Sequence, residues 1–144
     1  MTHTREILEA APSVPGFDVE DLATAIDACT DASVACTACA DADLAEDDVA
    51  SLRVCIELDA DCADICSATA RVLSRRARYD VLLVQRLLQA CVRACASCAE
   101  ECERHAEHHR HCALCGEACR TCQRTCEKLL QAEAFEQVQA LAGG

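Results

Sequence analysis

Fifteen cysteines occur among the 144 residues of this chain, and most recur at steps of three or four. The longest series is Cys112, Cys115, Cys119, Cys122 and Cys126; a second is Cys91, Cys95, Cys98 and Cys102. On an α-helix such steps keep every side chain on one stripe. That stripe is the one leucine normally fills in a helical bundle, so this core is written in thiols. Thiolates are soft donors that suit Cu(I), Zn(II) or iron–sulfur centres. One or two buried cysteines can serve as small hydrophobes. Fifteen would make a poor core, because leucine buries far more apolar area.

Two further groups complete the set: Cys29, Cys36 and Cys39, then Cys55, Cys62 and Cys66. Disulfides fit them badly. The odd count leaves at least one thiol unpaired, and helical neighbours three or four apart hold their Cβ atoms about 5–6 Å apart, against about 3.5–4.5 Å in a disulfide. Two thiolates about 2.3 Å from one soft metal span up to about 4.6 Å, which ordinary rotamers reach.

Polar residues continue the stripes. Steps of three and four beyond Cys102 land on His105 and His109, which are expected to face the bundle axis at its open end and to pass a soft metal inward. His111 and His108 lie in a turn whose geometry the sequence leaves open, and His3 reads as uninvolved. Asp59 lies between Cys55 and Cys62 on one stripe; a carboxylate there must be paired, metal-bound or wet. A small helix rotation would instead put Leu58 in the core and Asp59 at its edge. Asp43 follows Cys39 on its stripe but is explained more simply as a capping residue. Glu100, Glu101, Glu103 and Asp61 read as solvated.

Helices must position these groups. Hydrophobic residues make up 52% of the chain and aromatics 2%, with four Gly and two Pro, a balance that favours helices over sheet. The spacing predicts an all-α, antiparallel up-down-up-down four-helix bundle. Residues 1–17 form a leader with a helical turn or two around Ile7 and Leu8, stopped by Pro12, Pro15 and Gly16; residues 18–144 form the bundle. The first long helix starts at the cap Asp18, with Phe17 and Leu22 as a hydrophobic staple, and runs to about Asp41. The acidic stretch Asp41 to Asp48 makes the turn and caps the second, which runs to about Ala77. Arg75, Arg76 and Arg78 suit its negative pole. Asp80 caps the third, with Tyr79 and Val84 as staple. The fourth spans about His111 to Leu141, before the tail Gly143-Gly144.

Antiparallel packing then brings all the cysteine-bearing segments to one end, as a column about 25 Å deep at 1.5 Å per residue. Leu22, Ile26, Leu73, Val84, Leu87, Leu88, Leu129, Leu130 and Phe135 fill the other end. The net charge of −12 argues against nucleic acid and against an anionic membrane surface. No uninterrupted apolar run approaches the roughly 18 residues of a membrane span. Met1 to Gly16 lacks the pattern of an export signal, which points to the cytoplasm, where thiols stay reduced.

Cu(I) fits the thiol count best. Three Cys₄ zinc sites would each bury a net charge of −2, whereas about one Cu(I) per thiolate leaves the core near neutral. A zinc buffer, an iron–sulfur carrier and a thiol redox relay are the rivals. No Gly-rich cofactor loop and no nucleophile–base–orienter set favours an enzyme.

The CxxxCxxCxxxCxxHxxxH run from Cys91 to His109, and the CxxCxxxCxxCxxxC run after it, resemble the bacterial copper storage proteins of the cytosolic type. The resemblance covers residues 18–141. It implies a four-helix bundle, a homotetramer, many Cu(I) ions along the axis, mouth histidines at His105 and His109, and a second polar access point at Asp59 and His111. A cytosolic copper chaperone or small thiol donor is the expected partner.

Overall fold

The computed structural model describes residues 2–12 and 16–142; Pro15 and the Gly143-Gly144 tail lie outside them. Six α-helices follow in order: α1 Thr4–Ala10, α2 Val19–Leu44, α3 Arg53–Ser74, α4 Val81–His105, α5 Arg110–Leu129 and α6 Glu133–Ala142. A short 3-10 turn, Val49–Leu52, precedes α3. Each of α2 to α5 packs on its two neighbours around a square, α2 against α3 and α5, α4 against α3 and α5. This is the expected up-down-up-down four-helix bundle.

Local chemistry sets the helix starts. The Asp18 carboxylate accepts the Asp21 amide and the Asp80 carboxylate the Leu83 amide, each satisfying an orphan donor of a first turn. The acidic stretch behaves otherwise. α2 runs on through Asp43 to Leu44, and the Asp48 side chain caps no helix amide. Asp43, Glu46 and Asp48 instead turn toward His109 and His111 at the bundle mouth.

The fourth long helix is shorter than expected. It ends at Leu129, and α6 starts after three residues. The break contains neither Gly nor Pro; tertiary contacts make it. The Ala134 amide donates to the Gly16 carbonyl, and Phe135 turns under the bundle to meet Phe17 edge-on at 5.3 Å. Phe17 also meets Tyr79 at 5.3 Å, so all three aromatic residues of the chain sit at this end. Gly16 has φ 92°, and a Cβ there would lie 2.8 Å from the Ala134 Cβ. The close crossing therefore needs glycine.

α3 stops at Ser74, three residues early, and Arg76 does not decorate its pole. Arg76 turns inward, is buried, and donates from Nη1 to the Leu8 carbonyl at 2.8 Å. Leu8 is itself buried in the core, and Thr4 donates to Asp27 at 2.6 Å. The leader helix α1 is thereby docked across the apolar end. Leu22, Ile26, Leu73, Val84, Leu88, Leu129 and Phe135 are buried there as expected, while Leu87 and Leu130 sit half-buried at its edge. Each fully buried leucine contributes about 1.5–3 kcal/mol. By length and composition α4 is apolar enough to cross a membrane. Its cysteines and leucines account for much of that character, and Leu88, Cys91, Cys95, Cys98 and Cys102 face the bundle core.

Candidate metal centre

All fifteen cysteines are buried and free. They form a continuous sulfur column rather than separate knuckles. Next to the apolar floor, Cys29 Sγ lies 3.5 Å from Cys122, 3.7 Å from Cys126 and 3.9 Å from Cys91. One layer up, Cys66 lies 3.5 Å from Cys95 and 3.7 Å from Cys62. Cys36 follows, 3.4 Å from Cys119, 3.7 Å from Cys115 and 3.8 Å from Cys98. Cys55 and Cys102 are 3.7 Å apart, and Cys39 and Cys112 close the column at 3.9 Å. Each of these gaps is far too long for an S–S bond, and each is within the roughly 4.6 Å that one thiolate-bound metal bridges. Several sulfurs, such as Cys91 and Cys122, belong to two four-sulfur groups at once, which is the arrangement bridged ions require.

Asp59 is fully buried inside this column. Its Oδ1 accepts from the thiols of Cys98 at 3.0 Å, Cys115 at 3.3 Å and Cys102 at 3.6 Å, and its Oδ2 accepts from Cys55 at 3.7 Å. Helix α3 has not rotated to favour Leu58, which is only half-buried. Asp59 is thus an interior group of the column. Burial, reinforced by Cys102, pushes its carboxyl up to about 9, so at neutral pH it is held as the neutral acid.

The thiols shift one another in opposite directions. Cys62 and Cys91, foremost through their hydrogen bonds with Cys119 and Cys122 respectively, are pulled below the ordinary thiol range. Cys36 and Cys98, whose foremost partners are Cys115 and Cys102, are pushed above it, with burial adding to the effect. A sulfur core without metal therefore keeps most of its protons, and a metal must displace them.

The mouth is made by the α2–α3 and α4–α5 connections. His105, the last residue of α4, places Nε2 3.1 Å from Glu101. His109 precedes α5 and leaves the helical stripe. It crosses to the other connection, with Nε2 3.0 Å from Asp48 and Nδ1 3.5 Å from Glu46. The two histidines expected on one axial stripe are therefore parted, because α4 ends before the next turn. The hydrogen bond to Asp48 raises the His109 pKa and lowers that of Asp48. His109 groups with His111, the rings 5.4 Å apart. His111 is the histidine in contact with sulfur, its Nδ1 3.5 Å from Cys39 and 3.6 Å from Cys112. Burial, then Asp43, pushes the Cys112 thiol up to about 12. His108 is exposed, and His3 pairs with Glu6 on α1.

Sequence reasoning missed three carboxylates here. Asp43 is fully buried beside Cys112, Glu101 is nearly buried beside His105, and Glu46 lies 3.0 Å from His111 Nε2. Asp43 carried a signal in its step of four from Cys39, and Glu101 in its step of four to His105. Glu46 carried none.

A family model described as copper storage protein matches residues 18–131. The chain belongs to this family. Among solved structures, the copper storage protein Ccsp of Streptomyces lividans loaded with 10 copper equivalents is 48% identical, over 88% of this chain and 97% of its own, with a TM-score of 0.86. A five-copper form from S. lividans, described as a cytosolic copper storage protein, is 52% identical over 77% and 92%, with a TM-score of 0.76. A histidine-to-alanine variant of Ccsp is 51% identical over 80% and 96%, with a TM-score of 0.79. No curated protein matches the chain. Membership of the copper storage family supports copper, rather than zinc or an iron–sulfur centre, as the metal of these thiols.

Proposed function

We propose that this chain stores many Cu(I) ions in the cytosol, as cargo held by the thiolates of Cys29, Cys36, Cys39, Cys55, Cys62, Cys66, Cys91, Cys95, Cys98, Cys102, Cys112, Cys115, Cys119, Cys122 and Cys126. The role is sequestration, without catalysis. The observation that carries the reading is the unbroken column of buried sulfurs spaced for bridging. Copper enters from the histidine end, where His105, His109 and His111 stand among carboxylates that attract a cation. Asp59 then serves as a proton-holding partner of Cys98, Cys102 and Cys115 inside the store. The cytosolic setting is supported by the S. lividans relative. Delivery from a copper chaperone or small thiol, and assembly as a homotetramer, follow from resemblance; exposed Val34, Leu82, Leu83 and Leu114 are compatible with a buried interface. The chain divides into a leader, residues 1–17, whose helix α1 docks on the bundle, and the bundle domain, residues 18–144.

The test is an anaerobic Cu(I) titration of the fully reduced protein. Storage predicts saturation at about one Cu(I) per thiol, with protons released on loading. Saturation at one or two ions per chain would make the protein a carrier or sensor instead.

A further inference from the structure

Cys39 is shared between the sulfur column, where it groups with Asp59, Cys102 and Cys115, and a mixed-donor group at the outer end. Cys39, Asp43, His111 and Cys112 bring one donor atom each to within 4.8 Å of one another. Five of the six edges of this tetrahedron are defined. Cys39 Sγ to Cys112 Sγ is 3.9 Å, His111 Nδ1 to the two sulfurs is 3.5 and 3.6 Å, and Asp43 Oδ1 to Cys112 Sγ and to His111 Nδ1 is 3.5 Å in both cases. A tetrahedral Zn(II) with ordinary bond lengths needs edges of about 3.8 Å between sulfurs, about 3.5 Å from sulfur to nitrogen or oxygen, and about 3.4 Å between nitrogen and oxygen. The agreement extends over four donors from two helices.

Two independent features point to a cation there. Asp43 Oδ2 is buried without a hydrogen-bond partner, a costly state that a bound cation relieves. His111 Nε2 lies 3.0 Å from Glu46 Oε1, the carboxylate–histidine arrangement that holds a metal-binding imidazole in the tautomer with its other nitrogen free. Donor chemistry selects the ion. Carboxylate oxygen is a hard donor unsuited to Cu(I), whereas a mixed sulfur, nitrogen and oxygen set suits borderline Zn(II).

The geometry points to a Zn(II) site at Cys39, Asp43, His111 and Cys112, closing the mouth of the copper-free protein. Zn(II) displaces the two thiol protons and is held by two thiolates, one carboxylate and one neutral imidazole. That leaves one net negative charge, less than an all-cysteine zinc site would bury. The inference rests on the storage reading only in its last step, where Cys39 and Cys112 pass to Cu(I) and Zn(II) leaves.

Co(II), as a spectroscopic stand-in for Zn(II), tests it on the reduced, metal-free full chain. One Co(II) per chain should give the intense visible bands of a tetrahedral, thiolate-containing site, and one equivalent of Zn(II) should erase them. Asp43→Asn and His111→Ala, checked for helicity by circular dichroism, should each weaken Co(II) binding at least tenfold and shift the bands. Unchanged bands and affinity in both variants would place the ion in an all-cysteine layer and overturn the proposal, as would the absence of Co(II) binding. Subsequent Cu(I) addition reads the storage role separately: a capacity of one or two Cu(I) per chain would defeat storage while leaving the Co(II) result to judge the zinc site.

Discussion

The two halves of this bundle bury comparable lengths of the same helices with opposite chemistry. Around Leu22, Leu73, Leu88 and Phe135 the interior is ordinary close-packed hydrocarbon, finished by an aromatic cluster and strapped by α1. Around Cys36, Cys62 and Cys98 it is sulfur with an embedded carboxyl group. A thiol side chain buries much less apolar area than leucine, so the sulfur half contributes less to folding per residue. It gains its cohesion when metal replaces its protons. The division lets the chain fold before it is loaded, and lets the loaded half change its occupancy without unfolding the rest.

The sharpest way to break this comparison is to truncate each half in turn. Leu73→Ala or Leu88→Ala should cost the copper-free protein about 2–5 kcal/mol, as other buried leucines do, and leave copper capacity unchanged. Cys95→Ala should cost about 1 kcal/mol or less by the area argument and lower the capacity. Denaturant melts and Cu(I) titrations on the same samples check both, and a leucine variant with reduced capacity would blur the division. Cu(I) should also raise the melting temperature of the leucine variants, because the ligand binds the native state.

Asp59 gives the next largest effect. Its folded carboxyl titrates at about 9, far above its ordinary range. Near pH 4 and below, the acid is protonated in both folded and unfolded chains and costs nothing. As pH rises toward 9 the unfolded chain ionises and the folded one does not, so stability is lost across that window and levels off above it. Asp59→Asn should therefore gain stability over the parent progressively from pH 4 to pH 9, with the gain largest at the upper end. Melts of the two proteins at a series of pH values measure the difference; a constant difference would mean that Asp59 is ionised in the native core.

Gly16→Ala should cost about 1–2 kcal/mol, since alanine is strained at positive φ and its Cβ meets α6. Thermal melts read it, and copper capacity should not move. The smallest effect on stability belongs to His105→Ala, about 1 kcal/mol for the loss of one hydrogen bond, that to Glu101. Its signature is kinetic: stopped-flow loading should slow while capacity stays nearly constant. A large loss of capacity would make His105 a principal storage ligand.

Much of this was legible in the sequence because one signal carried it. Steps of three and four are both a helix signal and a burial signal, so the cysteine stripes defined the helices and the column together. The caps Asp18 and Asp80 were legible for the same reason, since capping is local. What escaped was set by tertiary contact. The break after Leu129 is made by Gly16 and Phe17, distant in the chain. Arg76 is buried because α1 lies over it. His109 leaves its stripe because α4 ends at His105, and Asp43 reads equally well as a cap until Cys112 is placed beside it.

The most direct test is where copper sits in the loaded protein, read from anomalous scattering at the copper edge in crystals grown anaerobically. The account predicts copper positions running from the Cys29, Cys122 and Cys126 layer to the Cys39 and Cys112 pair, with none among Leu22, Leu73 and Leu88. Copper confined to the outer histidines and carboxylates, with the inner thiols empty, would contradict it.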